Sequence, residues 1–465
     1  MLKEPNGELD AGGPVAPVFQ SQGFFYLWLA QIISQTAQNA ILYTLLILVI
    51  ALTGSAASTS VLVVLFIVPT VVFGIFSGVL VDRGSKRHLL IITNIARAVA
   101  ALAFFFTRDH LLGLYAVTIV FASFSQLFTT TNAASIPFLV SRRQLMSANS
   151  LFSMGFTIAQ VLGLILLAPL LLKTTNAATV FITTMTAFVI ASVLGYFLPY
   201  IGHEDERESA SLLPRAAELR GAISQFVQAL SSLRSDPMSV VAMGHITASS
   251  TLVLIFAVMV PRYMQAILDR DPADAVTVFA PVVVGALIGL RAIPFIAARL
   301  GKNRTVAVGL FGLAICLIAF GFVETIATAL ERTDRLNPFG TETDRLFGQS
   351  ILVTITIAFA GPLGFSYALL NAPAQTLLHE RTPLEMRGRI FASQMVLANG
   401  VALIPLVVVG GIADLYGVSA VVLGLGTLLL VGGAATLYLE RRWLGGEGDW
   451  PPPSQEPVSG SIDTT

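Results

Sequence analysis

Continuous apolar runs of about 20–30 residues recur along almost the whole chain. A helix needs about 20 apolar residues to cross the hydrocarbon core of a bilayer. Only 12% of the 465 residues are charged, roughly half the fraction usual in soluble domains. These features predict an all-α membrane protein and exclude a soluble enzyme and a disordered chain. The runs do not alternate polar with apolar residues, which excludes an outer-membrane barrel.

The apolar runs divide into twelve predicted spans. They lie at about 24–52, 57–81, 88–107, 111–140, 147–172, 175–201, 238–262, 274–299, 304–330, 348–379, 388–413 and 416–440. With the N-terminus inside, 18 of the 27 Arg and Lys residues fall on the cytoplasmic side, 7 outside and 2 within spans. Because positive charge concentrates on the cytoplasmic side, we expect both termini to be cytoplasmic. The expected location is the plasma (inner) membrane of a prokaryote.

The chain repeats itself in two halves. Asn132-Ala133 recurs as Asn371-Ala372 at an offset of 239, and Arg83 corresponds to Arg299 at an offset of 216. The difference indicates an insertion of about 23 residues, for which the polar outer loop 331–347 is the candidate. Duplicated six-helix halves in parallel orientation are typical of transporters. The predicted parts are an N-terminal tail (1–22), a first bundle (23–201), a linker with an amphipathic helix (202–237), a second bundle (238–442) and a disordered tail (443–465).

One loop carries a family resemblance. The stretch Gly78-Val79-Leu80-Val81-Asp82-Arg83-Gly84-Ser85-Lys86-Arg87 resembles the cytoplasmic loop signature of the major facilitator superfamily, with Ser85 in place of a usual Gly. Further stretches resemble its enterobactin-exporter-like and macrolide-efflux-like branch: Leu27-Trp28-Leu29-Ala30-Gln31, Ile136-Pro137-Phe138-Leu139-Val140 and Arg387-Gly388-Arg389-Ile390-Phe391. The resemblance implies the major facilitator fold, twelve transmembrane helices in two pseudo-symmetric six-helix bundles, and alternating-access transport.

Two positions depart from that branch. Many of its members have an acidic residue in the first span, where this chain has Gln38-Asn39. Many antiporters have a Gly-Pro pair in the fifth span, where Gly163 is followed here by Leu164. Both differences weaken the inference of proton antiport that the resemblance would otherwise carry.

The signature loop is the predicted gate. A carboxylate at Asp82 could accept hydrogen bonds from a neighbouring helix N-terminus or a basic partner, and such a lock must break whenever the inner side opens. The alternative is a short basic loop that only obeys the positive-inside rule. Ala298 stands where a second acid would be, so we expect an asymmetric gate. The predicted gating residues are Gly78, Asp82, Arg83, Lys86, Arg87 and Arg299.

Two arginines, Arg97 and Arg291, fall within predicted spans. An arginine in the centre of a bilayer costs roughly 2.5–3.5 kcal/mol on insertion scales, so each needs a protein or aqueous environment. For Arg97, anion attraction and a structural role in joining helices are both open. For Arg291, we favour the structural role.

Uncharged polar residues concentrate in the first, fourth, seventh and tenth spans, which line the central cavity in the resembled fold. The candidate cavity residues are Gln31, Gln35, Gln38, Asn39, Gln126, Asn132, His245, Tyr367 and Asn371. The alternative is polar contact between helices, at about 0.6 kcal/mol each. Such a lining suits a neutral amphipathic molecule. His245 is a candidate proton carrier, against the commoner role of a simple hydrogen-bonding histidine.

These features predict a secondary transporter that exports small amphipathic molecules of the drug, macrolide or siderophore type, with protons as the candidate coupling ion. Two alternatives stay open: a lipid or lysolipid mover of the same fold, and a non-transporting membrane receptor or assembly partner. The sequence contains no Walker loop and no Cys/His cluster, so we expect no enzymatic activity, cofactor or metal. We also expect a monomer, with no nucleic-acid partner.

Overall fold

The computed structural model describes residues 18–141, 144–200, 237–331, 351–381 and 387–444. Almost all of them are helical, and we number the spanning helices α1 to α12. They are α1 (Gln22–Thr53), α2 (Ala56–Arg83), α3 (Lys86–Thr107), α4 (Leu111–Leu139), α5 (residues 145–174), α6 (Ala177–Tyr196), α7 (Pro237–Ala266), α8 (Ala275–Leu300), α9 (Lys302–Gly321), α10 (Ile351–Arg381), α11 (Arg387–Tyr416) and α12 (Val418–Leu444).

All twelve helices are long and apolar enough to cross a membrane, which confirms the predicted fold class. The two predicted tails, up to residue 17 and from residue 445, lie outside the described residues, as do 201–236 of the predicted linker and 332–350, which include most of the predicted outer loop.

Polar caps explain where several helices begin. Ser21, Ser55 and Asn176 each precede a helix and accept a hydrogen bond from the backbone N–H three residues later. Such caps satisfy amide groups that have no partner inside the helix. α1 ends at Gly54, whose φ of 63° lies in the left-handed region that glycine adopts without strain. The link from α1 to α2 is therefore only two residues long.

The helix starts reproduce the internal repeat. α3 and α9 begin 216 residues apart (302 − 86), whereas α4 and α10 begin 240 apart (351 − 111). The insertion therefore lies between α9 and α10. The predicted ninth span, 304–330, is interrupted: α9 ends at Gly321, where Phe322 leaves the helical conformation, and a separate short helix, Val323–Glu331, follows.

The fifth span is also irregular. It runs as an α-helix over Leu145–Val161, as a π-helix over Leu162–Leu167 and again as an α-helix over Ala168–Thr174. Gly163 lies in the π segment, and a Cβ atom there would come 2.5 Å from the Thr36 carbonyl oxygen of α1. π-helical turns often mark functional positions in helices.

The two bundles pack by the same scheme with one exception. In the first half, α1 packs closely along α6, and α3 lies against α4 and α6. In the second half, α9 lies against α10 and α12, but α7 and α12, which correspond to α1 and α6, make little contact. The second half is therefore looser between α7 and α12. Between the halves, α2 packs along α11.

The tightest packing in the second half is between α8 and α10. A Cβ atom on Gly285 would collide with the backbone of Gly361, and one on Gly364 would collide with the backbone of Val282. Small residues let two helix backbones approach closely where lipid gives no hydrophobic force between them. We call this contact the glycine seam.

Candidate functional site

The predicted intramembrane charge at Arg97 is completely buried in the first half. Its guanidinium donates hydrogen bonds to Ser34 Oγ at 2.5 Å, Asn94 Oδ1 at 2.7 Å and Gln38 Oε1 at 3.3 Å. It also lies over the rings of Phe128, at 3.9 Å, and Phe188, at 4.7 Å. The ring faces attract the cation, but all five partners are neutral.

This environment favours the structural role for Arg97. Its partners come from α1, α3, α4 and α6, so one side chain joins four helices of the first half. The two aromatic rings and the absence of exposed area separate the cation from any aqueous space in this conformation. By contrast, Arg291 on α8 is exposed, and this exposure does not favour the structural role expected for it from the sequence.

The polar residues of α1 contact two different neighbours. Gln31 is buried and donates to the Phe152 carbonyl of α5 at 3.1 Å, whereas Gln38 accepts from Arg97 of α3. Gln35 and Asn39 are also buried, and Asn39 Nδ2 has no hydrogen-bond partner. Their role as cavity lining therefore stays a prediction.

The polar residues of α4 lie between helices of the first half. Gln126 Nε2 donates to Thr130 Oγ1 at 3.4 Å, and the Thr130 hydroxyl hydrogen-bonds with Ser77 of α2 at 2.8 Å. Asn132 is buried and its Oδ1 has no hydrogen-bond partner. A buried amide oxygen without a hydrogen bond destabilises the fold. In this conformation Asn132 therefore has an acceptor that is free to bind a donor from another group.

The corresponding residues of the second half form one chain of hydrogen bonds. Ser249 of α7 donates to Asn371 Oδ1 at 3.3 Å, and Gln375 Nε2 donates to the same oxygen at 3.3 Å. Asn371 Nδ2 in turn donates to the Tyr367 hydroxyl oxygen at 3.2 Å. Thus the structure brings two of the predicted cavity residues, Asn371 and Tyr367, together on α10.

His245 lies apart from that chain. Its Nε2 hydrogen-bonds with Thr436 Oγ1 of α12 at 2.8 Å. This bond joins α7 to α12, the two helices that otherwise make little contact. His245 therefore has an evident structural partner, while its predicted part in proton transfer stays a prediction.

A pocket of about 550 Å³ lies beside this contact, between α7, α11 and α12. It is almost entirely apolar, with two threonines as its only polar lining residues. Its lining residues are Val240, Met243, Gly244, Thr247, Ala248, Thr251, Leu252, Ile255, Leu397, Val401, Pro405, Leu425, Leu428 and Leu429. Val240, Val401 and Leu428 are exposed at its edge, so the pocket is continuous with the outer apolar surface of the bundle. We call it the α7–α12 pocket.

Polar contacts bridge the two halves at the end where α1 passes into α2. Lys173 Nζ is 2.8 Å from Asp274 Oδ1, an ion pair between the end of α5 and the start of α8. The Tyr43 hydroxyl donates to the Pro272 carbonyl at 3.3 Å. Asp414 of α11 accepts hydrogen bonds from the start of α2. We call this end the bridged end.

The predicted gating residues lie at the opposite end. The side chains of Gly78, Asp82 and Arg83 are outside the described part of α2. Lys86 Nζ donates to the Val81 carbonyl at 3.5 Å and lies over the Phe138 ring, and Arg87 lies over the Tyr196 ring. In the second half, Arg299 lies 4.0 Å over the Phe295 ring. These basic groups contact their own half, and their gating role is not tested by these contacts.

Within the residues that the structure describes, no three His, Cys, Asp or Glu side chains are placed to hold a metal ion. In the part of the chain that the structure describes, twelve helices able to span a membrane form two related bundles bridged across one end, the architecture of a multi-pass membrane protein with a duplicated fold. The chain belongs to the Major Facilitator Superfamily, whose sequence profile matches residues 27–333.

Comparisons with individual proteins agree with this assignment. An uncharacterized MFS-type transporter of Bacillus subtilis (strain 168), YfiS, is 25% identical over 426 residues, which cover 90% of this chain and 94% of YfiS. Among solved structures, the POT family transporter PepTSo matches with a TM-score of 0.67 at 13% identity, covering 94% of this chain and 100% of that one. The nucleoside transporter NupG matches with a TM-score of 0.63 at 12% identity, covering 90% and 98%. At these identities, the structural matches show the fold alone.

Proposed function

We propose that this transporter is an alternating-access exporter of small amphipathic molecules in the inner membrane of a prokaryote. The observation that carries the substrate class is the α7–α12 pocket. Its volume of about 550 Å³ is within the range of small-molecule sites. Its lining is aliphatic apart from Thr247 and Thr251, so it suits an apolar body with few polar groups better than a sugar phosphate or an ion.

The distribution of Arg and Lys indicates which side of the membrane the bridged end faces. The 18-to-7 distribution of Arg and Lys favours placing the loops at the opposite end in the cytoplasm. The bridged end then faces outward, and the structure corresponds to a state that is closed to the outside. Alternating access requires these bridges to break when the outer side opens.

The coupling ion is part of the proposal. Gln38 occupies the place of the acid found in many members of the resembled branch, and it contacts Arg97 as a neutral acceptor. A proton carrier is therefore missing from that point of α1. His245, which is partly buried between α7 and α12, is our candidate for coupling to a proton gradient.

The position of the α7–α12 pocket also supports a second candidate, a lysolipid mover. Exposed aliphatic residues at its edge, among them Val401 and Leu428, would face bilayer hydrocarbon. An acyl chain could enter sideways without crossing water. The two candidates differ in what must move: a soluble amphipathic compound or a lipid.

Flux in proteoliposomes that contain only this protein tests the proposal. Vesicles are loaded with dyes, macrolides or siderophores, or carry a fluorescent lysolipid in one leaflet, and a pH gradient is imposed and removed. Export that follows the gradient supports a coupled exporter, and lysolipid movement alone supports the second candidate. Absence of flux for every compound would count against both and favour a receptor role.

A pocket-filling variant makes this test specific. A Cβ atom on Gly244 meets no atom within 4 Å, so Gly244→Leu should fill the α7–α12 pocket without disturbing the backbone. The matched control is Gly424→Leu on α12, which also has open space around its Cβ position but does not line the pocket. We expect Gly244→Leu to reduce flux at least tenfold, about 1.4 kcal/mol of lost binding, while the control transports normally. Equal flux in both variants would contradict the assignment of the pocket.

A further inference from the structure

Asp414 makes a contact of three hydrogen bonds between the two halves. Its carboxylate accepts hydrogen bonds from Ser55 Oγ at 2.6 Å, from the Ala56 N–H at 2.8 Å and from the Ala57 N–H at 2.9 Å. The acceptor belongs to α11 of the second half, and all three donors belong to the first turn of α2 or its cap. One side chain of the second half therefore caps a helix of the first half.

The chemistry of this contact favours a charged acceptor. The first amides of a helix have no partners within the helix, and the helix dipole places partial positive charge there. A carboxylate satisfies two of these amides and the cap hydroxyl together, and hydrogen bonds to a charged group are about twice as strong as neutral ones. An asparagine has nearly the same shape, but it has one acceptor oxygen and no charge.

Close backbone packing positions the carboxylate. Gly410 lies one turn before Asp414 on α11, and a Cβ atom there would come 2.8 Å from the Ala56 carbonyl oxygen. This contact brings α11 against the first turn of α2. Ser55 has two functions at this point: its Oγ donates to Asp414 and accepts from the Ser58 N–H as the N-cap of α2.

We propose that Asp414 is the outer latch of this transporter, a positioning residue that stabilises the state closed at the bridged end. The proposal rests on the alternating-access function proposed above. Helices α2 and α11 run in opposite directions, so the start of α2 lies beside the end of α11. Asp82 is the next-to-last residue of α2, as Asp414 is near the end of α11. The predicted gate at Asp82 lies at the other end of α2, and Asp414 holds the bridged end.

The latch predicts a shift in conformational population that can be measured without substrate. With Cys316 replaced by Ala, spin labels at Leu112→Cys and Thr325→Cys report the bridged end, because both positions are exposed there and belong to different halves. A second pair, at His88→Cys and Asn303→Cys, reports the opposite end. Double electron–electron resonance spectroscopy on the full chain in lipid nanodiscs then gives the distance distribution at each end.

Asp414→Asn should raise the ratio of open to closed bridged ends roughly tenfold. A tenfold change corresponds to the low end of the free energy that hydrogen bonds to a charged group usually contribute. We use the low end because Asp414 is exposed and solvent weakens its interactions. We expect longer distances for the first pair and shorter distances for the second pair. The matched control is Asp109→Asn, an exposed carboxylate at the same end whose ion pair is with its neighbour Arg108. It should leave both distributions unchanged.

A second variant keeps the test decisive if Asp414→Asn folds poorly. Ser55→Ala removes one donor to Asp414 and should shift both distributions in the same direction by a smaller amount. In the double variant the two effects should not add, since both remove the same contact. Unchanged distributions in Asp414→Asn and Ser55→Ala, or an equal shift in Asp109→Asn, would overturn the proposal.

The distances also separate this proposal from the proposed function. A latch that shifts the distances in a protein without flux for any compound would retain the latch and refute the exporter. Normal flux with gradient dependence and no shift in Asp414→Asn would retain the exporter and refute the latch.

Discussion

The glycine seam gives the sharpest test of the packing. Gly285 of α8 and Gly361 of α10 face one another, but their surroundings are unequal. A Cβ atom on Gly285 would collide with the Gly361 backbone, whereas a Cβ atom on Gly361 meets only the Pro281 carbonyl oxygen at 3.8 Å, an ordinary contact. The same substitution, Gly→Ala, should therefore be destabilising at Gly285 and tolerated at Gly361.

The size of the effect follows from what can move. The atoms that a Cβ on Gly285 would meet belong to the backbone, so no side chain can rotate away and the two helices must separate. Overpacking of this kind costs typically about 1–3 kcal/mol. For a bundle of this size, each kcal/mol corresponds to roughly 2–4 °C in Tm. We expect Gly285→Ala to lower the Tm by about 2–12 °C and Gly361→Ala to change it by less than about 2 °C.

The chain contains its own reporter for this measurement. Cys316 is the only cysteine in the sequence, and it is buried in α9, which packs against α10. A fluorogenic maleimide reacts with it only as the second half unfolds, so its fluorescence during heating gives the Tm of purified protein in detergent. Wild-type behaviour of Gly285→Ala, or an equal loss in both variants, would refute the packing argument.

Three further predictions concern charged and polar groups. Two of them lie in the first half, which Cys316 does not report, so each is measured as the loss of helical circular dichroism on denaturation of the purified protein. Arg97→Met should lower the free energy of unfolding by roughly 2–4 kcal/mol, because it removes three hydrogen bonds and two ring contacts. The control Arg291→Met should change that free energy by less than about 0.5 kcal/mol. Similar losses in both variants would contradict the structural role of Arg97. Gln38→Glu should stabilise by about 1 kcal/mol at neutral pH by giving Arg97 a charged partner, and this gain should vanish in the Arg97→Met background. Lys302→Gln should cost less than about 1 kcal/mol, since its ion pair with Glu380 is exposed; a larger loss would show that the pair belongs to a network.

Most of the fold could be predicted because the bilayer restricts the choice of structure. Apolar length located the twelve helices, and landmarks such as Asn132 and Asn371 located the repeat and the site of the insertion. The end of α9 at Gly321 was missed, since the residues on both sides are apolar and helix-forming. The π segment of α5 was missed for the same reason: composition along a helix does not reveal a change in its hydrogen-bond register.

The candidate site was less predictable, because it depends on which helices meet. A polar set in four spans was visible, but not that Gln38 would contact Arg97 or that His245 would contact α12. Asp414 lies near the end of the eleventh predicted span, and nothing in the sequence marks it as a contact between the halves. Its partners are backbone amides 357 and 358 positions away in the chain, and backbone amides carry no sequence signal. Gly54 and Ser55 indicate in the sequence that α1 ends and α2 begins there, but they do not indicate the contact with α11.

The bridged end also has a kinetic consequence. The ion pair between Lys173 and Asp274, the Tyr43 hydrogen bond and the Asp414 cap all have to be absent once the bridged end has opened. If these contacts are already broken in the transition state for opening, their combined free energy is part of the activation free energy of every transport cycle. Each additional 1.36 kcal/mol would then slow opening tenfold. A carrier whose bridged end is held more firmly would then turn over more slowly. Its turnover number would be determined by contacts at the bridged end and not by contacts with its substrate.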